Sequence, residues 1–141
     1  MPMPPEIAQA STQFMELLGA LKERAFLQTH NQCYAMLRAV LHEFRTYMTV
    51  NQAIAFAGAL PPVTRAIFVE DWWPADAPPL PPAPSDFSEA VVRRLSPHHI
   101  PPDGIAGDVF ALLAARMEPS KAAGAVDALP AGLQRLWRGA P

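Results

Sequence analysis

Cysteine is nearly absent: Cys33 is the single one in 141 residues, so no intrachain disulfide can form and the chain suits a reducing compartment. Charge is scarce too. Charged residues make up 17% of the sequence, against about 25% in average proteins. The 11 Lys and Arg against 13 Asp and Glu leave a formal net charge of -2, which gives no electrostatic footprint for nucleic acid or an anionic membrane. No long apolar run occurs either: the most apolar stretch, AIAFAGALPPV at 53–63, falls far short of the roughly 20 residues of a membrane span. The opening MPMPPEIAQ has no basic residue and no apolar segment, so it does not read as a secretory signal. The expectation is a cytoplasmic protein with neither a membrane nor a nucleic-acid partner.

The motifs of common enzyme chemistry are also missing. There is no HExxH, no GxxxxGK[ST] and no GxGxxG, and no serine or cysteine sits in a glycine-framed strand-to-helix elbow. His30 and Cys33 form one close pair, but His42 lies nine residues beyond Cys33, about 13 Å along a helix and too far to share an ion. Paired carboxylates such as Glu70-Asp71 are sequence neighbours, which is no sign of an acid/base pair across a pocket. No catalytic residue, cofactor or metal ligand is therefore assigned.

What the chain has in quantity is apolar residues, 50%, and proline, 17 residues. With so little charge to cover it, some apolar surface is expected to stay exposed and favour association. The prolines cluster at 2–5, at Pro61-Pro62, in the tract PADAPPLPPAP (74–84) and around SPHHIPPD. Helix interiors reject proline, so the clusters mark boundaries. They divide the chain into an N-terminal tail (1–10), a first helical half (11–73), a proline-rich linker (74–84), a second helical half (85–138) and a C-terminal tail (139–141). The linker carries PxxP spacings at Pro78, Pro81 and Pro84, but no flanking basic residue orients it as a ligand, and it reads as a semi-rigid spacer.

Between the breaks the apolar spacing is helical: Phe14, Leu17, Leu18, Leu21 and Ala25 form one stripe, and Cys33, Leu37, Val40, Phe44 and Met48 a second. Thr49 to Gln52 has the form of a capping box that opens a third helix near Val50, with an apolar face of Ala53, Ile54, Ala57 and Leu60. Pro61 suits the start of a fourth, running to about Glu70 and burying Ile67 and Phe68. Nothing alternates with period two over a useful length, so no sheet is expected.

The second half repeats the first at an offset of 69 residues. Leu60-Pro61 falls on Leu129-Pro130, Met48 on Met117 and Val40 on Val109, while Met36 meets Ile105, Phe44 meets Leu113 and Phe68 meets Trp137 without a gap. Phe87, Val91 and Leu95 supply the counterpart of the first stripe, opened by Asp86 with Glu89 in capping-box spacing; Asp103 would cap the next helix and Pro119 would open the third. The fold expected is all-α: a duplicated unit of three longer helices and a short one, packed as one bundle because a single unit is too small for a solid core.

The segment LRAVLHEFRTYMTVNQAIAFAGALPPVTRAIFVEDWWP, followed by a second half ending ALPAGLQRLW, resembles the bacterial family known as domain of unknown function 2267. The likeness covers about Phe14 to Trp137. It rests on the LRAVL helix, the Leu-Pro followed four residues later by Arg65, the tryptophan after an acidic residue and the closing Leu-Pro to Leu-Trp; Glu118-Pro119 stands where the family commonly has Gly-Glu. The resemblance implies an all-α duplicated fold and no catalytic residue.

For function, the strongest local signal is Asp71-Trp72-Trp73 beside Arg65, since tryptophan is over-represented among binding hot spots. One tryptophan is expected in the core against Ile67 and Phe68, the other at an interface between halves or chains. His98-His99 adds a surface contact. The reading is a non-enzymatic module for protein–protein interaction or self-association. The alternatives are a small-ligand binder or enzyme with a pocket between the halves, and a DNA-binding regulator. The last is disfavoured because residues 50–60 contain no Lys or Arg.

Overall fold

The computed structural model describes residues 2–139. In chain order its helices are α1 (Pro5–Ala8), α2 (Ala10–Arg24), α3 (His30–Arg45), α4 (Val50–Ala59), α5 (Pro62–Val69), α6 (Pro84–Leu95), α7 (Ile105–Ala114), α8 (Pro119–Asp127) and α9 (Ala131–Arg138), and no strand occurs among the described residues. The protein is all-helical, and none of these helices is long and apolar enough to cross a membrane. Residues 140 and 141 of the expected C-terminal tail, and Met1, lie outside the described residues. The segment expected as an N-terminal tail contains α1 and the first residue of α2.

Two threonines start α3 and α4 in the same way. Thr49 Oγ1 accepts the Gln52 N–H at 3.2 Å while Gln52 Oε1 accepts the Thr49 N–H at 2.9 Å, the capping box expected there. Thr29 and Gln32 form a second such box ahead of α3. Helices α5, α6 and α8 each begin on a proline, which loses nothing at a first turn whose N–H has no partner. Two expected caps are not used. Helix α6 starts at Pro84 rather than being opened by Asp86, and α7 follows Gly104, at φ 78°, rather than Asp103; neither start has a side-chain cap. In both cases a backbone feature, proline or a left-handed glycine, sets the start ahead of the acidic residue.

Both expected stripes face inwards: Leu17, Leu18, Leu21 and Ala25 on α2 and its end, and Cys33, Leu37, Val40, Phe44 and Met48 on and after α3, are buried. Leu60 and Leu129 are buried too. The α4 face differs from expectation. Phe56 is fully buried and Ile54 is 65% exposed, because the inward stripe runs Ala53, Phe56, Ala57, Leu60, which places Ile54 about 100° round from Ala53.

Phe44 is the centre of an aromatic cluster contributed by six helices. Its ring lies 4.7 Å from Phe110, 5.5 Å from Phe56, 6.0 Å from Trp137 and 6.3 Å from Phe87, and Phe68 joins through Phe56 at 5.3 Å. Such tilted and edge-on pairs add about 0.5–1.5 kcal/mol each beyond area burial. Helices α4 and α8 run antiparallel against each other, tied at both ends: the Glu118 N–H donates to Ala59 O at 3.0 Å and Gln52 Nε2 to Ala128 O at 3.1 Å. The small side chains Ala53, Ala57 and Ala125 are buried along this pair of helices. The linker is not a free spacer, since Pro81 packs on Gly132 of α9 so closely that a Cβ there would lie 2.7 Å from the proline ring.

Candidate functional site

The C-terminal end of α5 is where polar chemistry enters the core. Helix ends leave carbonyls without helical partners, and α3 sends two side chains to them: His42 Nε2 lies 2.8 Å from Ile67 O, while Arg45 Nη1 donates to Phe68 O at 2.8 Å and Glu70 O at 2.6 Å. Both side chains are buried. Burial lowers the His42 pKa, with neighbouring arginines adding to it, so the ring is kept neutral. Burial, with Arg94 and Arg38 nearby, also lowers Arg45, to about 10, which leaves it a cation at neutral pH.

The chain then turns at Asp71, whose φ of 53° is a left-handed conformation that Asp tolerates better than bulky residues. This turn makes the tryptophan corner. Trp72 folds back, half-buried, with its ring 6.0 Å from Phe68 and the Arg45 guanidinium 5.5 Å from its centroid. Trp73 is 94% exposed. Because α5 ends at Val69, the two rings diverge through this turn and not through a continuing helix, and Trp72 is half-buried rather than fully enclosed.

Beside Trp72 runs an apolar groove of about 520 Å³ between α4 and the end of α5, walled by Val50, Ile54, Val69 and Pro74, with Arg65 and Lys121 at its margin. Arg65 has its guanidinium committed: Nε donates to Ala57 O at 3.0 Å and Nη2 to Leu60 O at 2.9 Å, closing the end of α4. Asp71 is solvent-exposed, 3.8 Å from Arg38. His98 and His99 lie elsewhere, on the loop that wraps the end of α6, where both backbone N–H groups donate to Leu95 O at 3.1 Å. They line a second cleft with Arg38, His42 and Arg94. Of the six residues singled out in the sequence, the groove thus holds Arg65 and Trp72, with Asp71 and Trp73 next along the chain, and His98 and His99 belong to the cleft.

The model of an uncharacterized conserved protein family, DUF2267, matches residues 14–136. The chain belongs to the DUF2267 family. No curated protein matches it. Family membership explains no chemistry, but the structure explains two of the quoted motif positions. The Leu-Pro pair ends α4 and begins the next helix, and the arginine four residues after the proline returns to the leucine's own carbonyl. The DUF2267 chain also carries surface residues that sequence reasoning missed. Val50, Val69 and Ile54 were placed in elements but not on a surface, and Arg38 and Arg94 were not singled out. Asn31, Tyr34, Arg38 and His42 recur at three- and four-residue steps, a polar stripe on α3 that a search for polar as well as apolar periodicity would find.

Proposed function

We propose that this protein is a non-enzymatic helical module that self-associates through the groove beside Trp72. The observation that carries the reading is the apolar face itself: Val50, Ile54 and Val69 are exposed around the groove, and Trp73, next in the chain to the groove residue Trp72, stands almost wholly in solvent. Large apolar side chains gathered on one face mark association sites, and tryptophan is a common anchor. A second copy of the chain fits the charges. Lys121 sits at the groove margin and forms no ion pair among the described residues, while Asp71 is exposed beside Trp72. A two-fold pairing brings each Asp71 towards the other copy's Lys121 across a shared apolar centre.

Sedimentation equilibrium tests this. The parent chain should show a concentration-dependent dimer, Trp73→Ala should weaken it and Ile54→Glu abolish it, with helicity and melting temperature near the parent's because both side chains are exposed. A parent that stays monomeric at high concentration overturns the proposal.

The same reading takes the bundle as two related helical halves. Supporting it, α5 and α9 have bounds 69 residues apart at both ends, α4 and α8 pack together, and α3 packs on α6 as α2 packs on α7.

A further inference from the structure

The second cleft is separate from the groove and shares no lining residue with it. It measures about 630 Å³ and lies between α3 and the end of α6 with its following loop, a size that holds a small organic molecule. Arg38, Arg94, His42, His98, His99 and Tyr34 are among its walls, and none of its lining residues is acidic.

Each arginine is held from outside the cleft. Arg38 Nε donates to Glu70 at 2.7 Å and Arg94 Nε to Glu43 at 2.8 Å, with Arg94 Nη2 3.4 Å from Thr46 Oγ1. These contacts fix the guanidinium planes, and Nη1 of each makes no hydrogen bond to protein among the described residues. His42, only 4% exposed, is held through Nε2 by Ile67 O. A carbonyl accepts and never donates, so Nε2 carries the proton in the neutral ring and Nδ1 is left as an acceptor. Among the described residues no protein group hydrogen-bonds to Nδ1.

From this arrangement we infer a binding site for a small hydroxylated organic anion, a carboxylate or a phosphate ester, whose charge is taken by Arg38 and Arg94 and whose hydroxyl donates to His42 Nδ1. Fixed guanidinium forks match the planar oxygens of either anion, and an acceptor in the same cleft selects for a hydroxyl. The inference stands independently of self-association, since it uses none of the groove residues.

Calorimetric titration of the full chain at low salt tests it with two matched pairs. Citrate is compared with tricarballylate, which lacks its hydroxyl, and glycerol 3-phosphate with propyl phosphate. At least one hydroxylated probe should bind once per chain and more tightly than its hydroxyl-free match, and Arg38→Gln should weaken it about tenfold. The Glu70 side chain is 41% exposed, so water replaces the lost partner in that variant and the fold is kept; His99→Asn should give a smaller loss, and Arg135→Gln on α9 none. The inference is overturned if neither hydroxylated probe binds in the millimolar range, if the hydroxyl-free match binds equally well, or if Arg38→Gln has no more effect than Arg135→Gln.

Discussion

Arg65 and Gln134, 69 residues apart, do the same work at two helix ends: Arg65 donates to Ala57 O and Leu60 O at the end of α4, and Gln134 donates to Asp127 O and Leu129 O, at 3.1 and 2.9 Å, at the end of α8. Each side chain reaches back from one short helix to close the helix before it. The carbonyls of Leu60 and Leu129 precede a proline in both places, so the following residue has no N–H and the chain direction is held by the returning side chain instead.

A graded response to substitution follows from that pair. Arg65→Ala should destabilise the chain by about 1–2 kcal/mol, because two carbonyls lose donors, one of them from a cation. Gln134→Ala should cost less, about 1 kcal/mol, as a neutral donor is lost. Arg65→Gln should recover much of the loss, since glutamine already does this job in the second half. Urea unfolding midpoints measure all three; equal losses for Arg65→Gln and Arg65→Ala would mean that the arginine acts through its apolar stem.

The helices were largely legible in the sequence because proline, threonine caps and apolar steps of three and four are local signals. The stripe on α3 and the starts of α4 and α8 follow from them directly. What escaped depends on contacts distant in sequence. Nothing near Ile54 says that Phe56 takes the inward position, and nothing near Pro81 says that Gly132 receives it. The candidate site was legible only in part: tryptophan and histidine stand out by composition, but the left-handed turn at Asp71 and the outer anchors of Arg38 and Arg94 are products of packing. The match of Arg65 with Gln134 supports the duplicated reading at a place where the two residue types differ.

The linker contact predicts an effect opposite to helix propensity. Gly132→Ala should favour α9 by about 1 kcal/mol on propensity alone. The added Cβ would meet the Pro81 ring at 2.7 Å, and such overpacking typically costs about 1–3 kcal/mol. The melting temperature should therefore fall. A rise would show that the linker moves aside without loss, and Pro81→Gly, which removes the Cβ that the new side chain would meet, should restore much of the lost stability in the same background.

At the tryptophan corner the two rings should separate by measurement. Trp72→Ala removes packing on Phe68 and the Arg45 cation–π contact and should cost about 2–4 kcal/mol, towards the lower part of the range for aromatic truncation because the ring is only half-buried. Trp73→Ala should leave melting almost unchanged. Asp71→Val should lower stability by about 1–2 kcal/mol, the cost of a left-handed conformation in a β-branched residue, and Asp71→Gly should not. Equal melting of Trp72→Ala and the parent would remove Trp72 from the fold's support.

The neutral, buried His42 gives the protein a specific acid sensitivity. Its folded pKa lies below the ordinary 6.5, first because of burial and then because of Arg45, Arg38 and Arg94. The unfolded chain therefore binds the proton more readily than the folded one, and by linkage the folded state loses stability as pH falls below about 6.5, with no loss from this residue above it. Arg38 acts on Glu70 in the other direction, holding its carboxyl below the ordinary 4.5, so that pair contributes only above about pH 4.5 and fails in a lower window. Between pH 7 and pH 5 His42 therefore contributes to the slope. In His42→Gln the amide can still donate to Ile67 O but takes up no proton, so denaturant midpoints across that interval should be flatter than the parent's. An unchanged slope would place the proton uptake on another group and show that the ring does not remain neutral for the reasons its surroundings give.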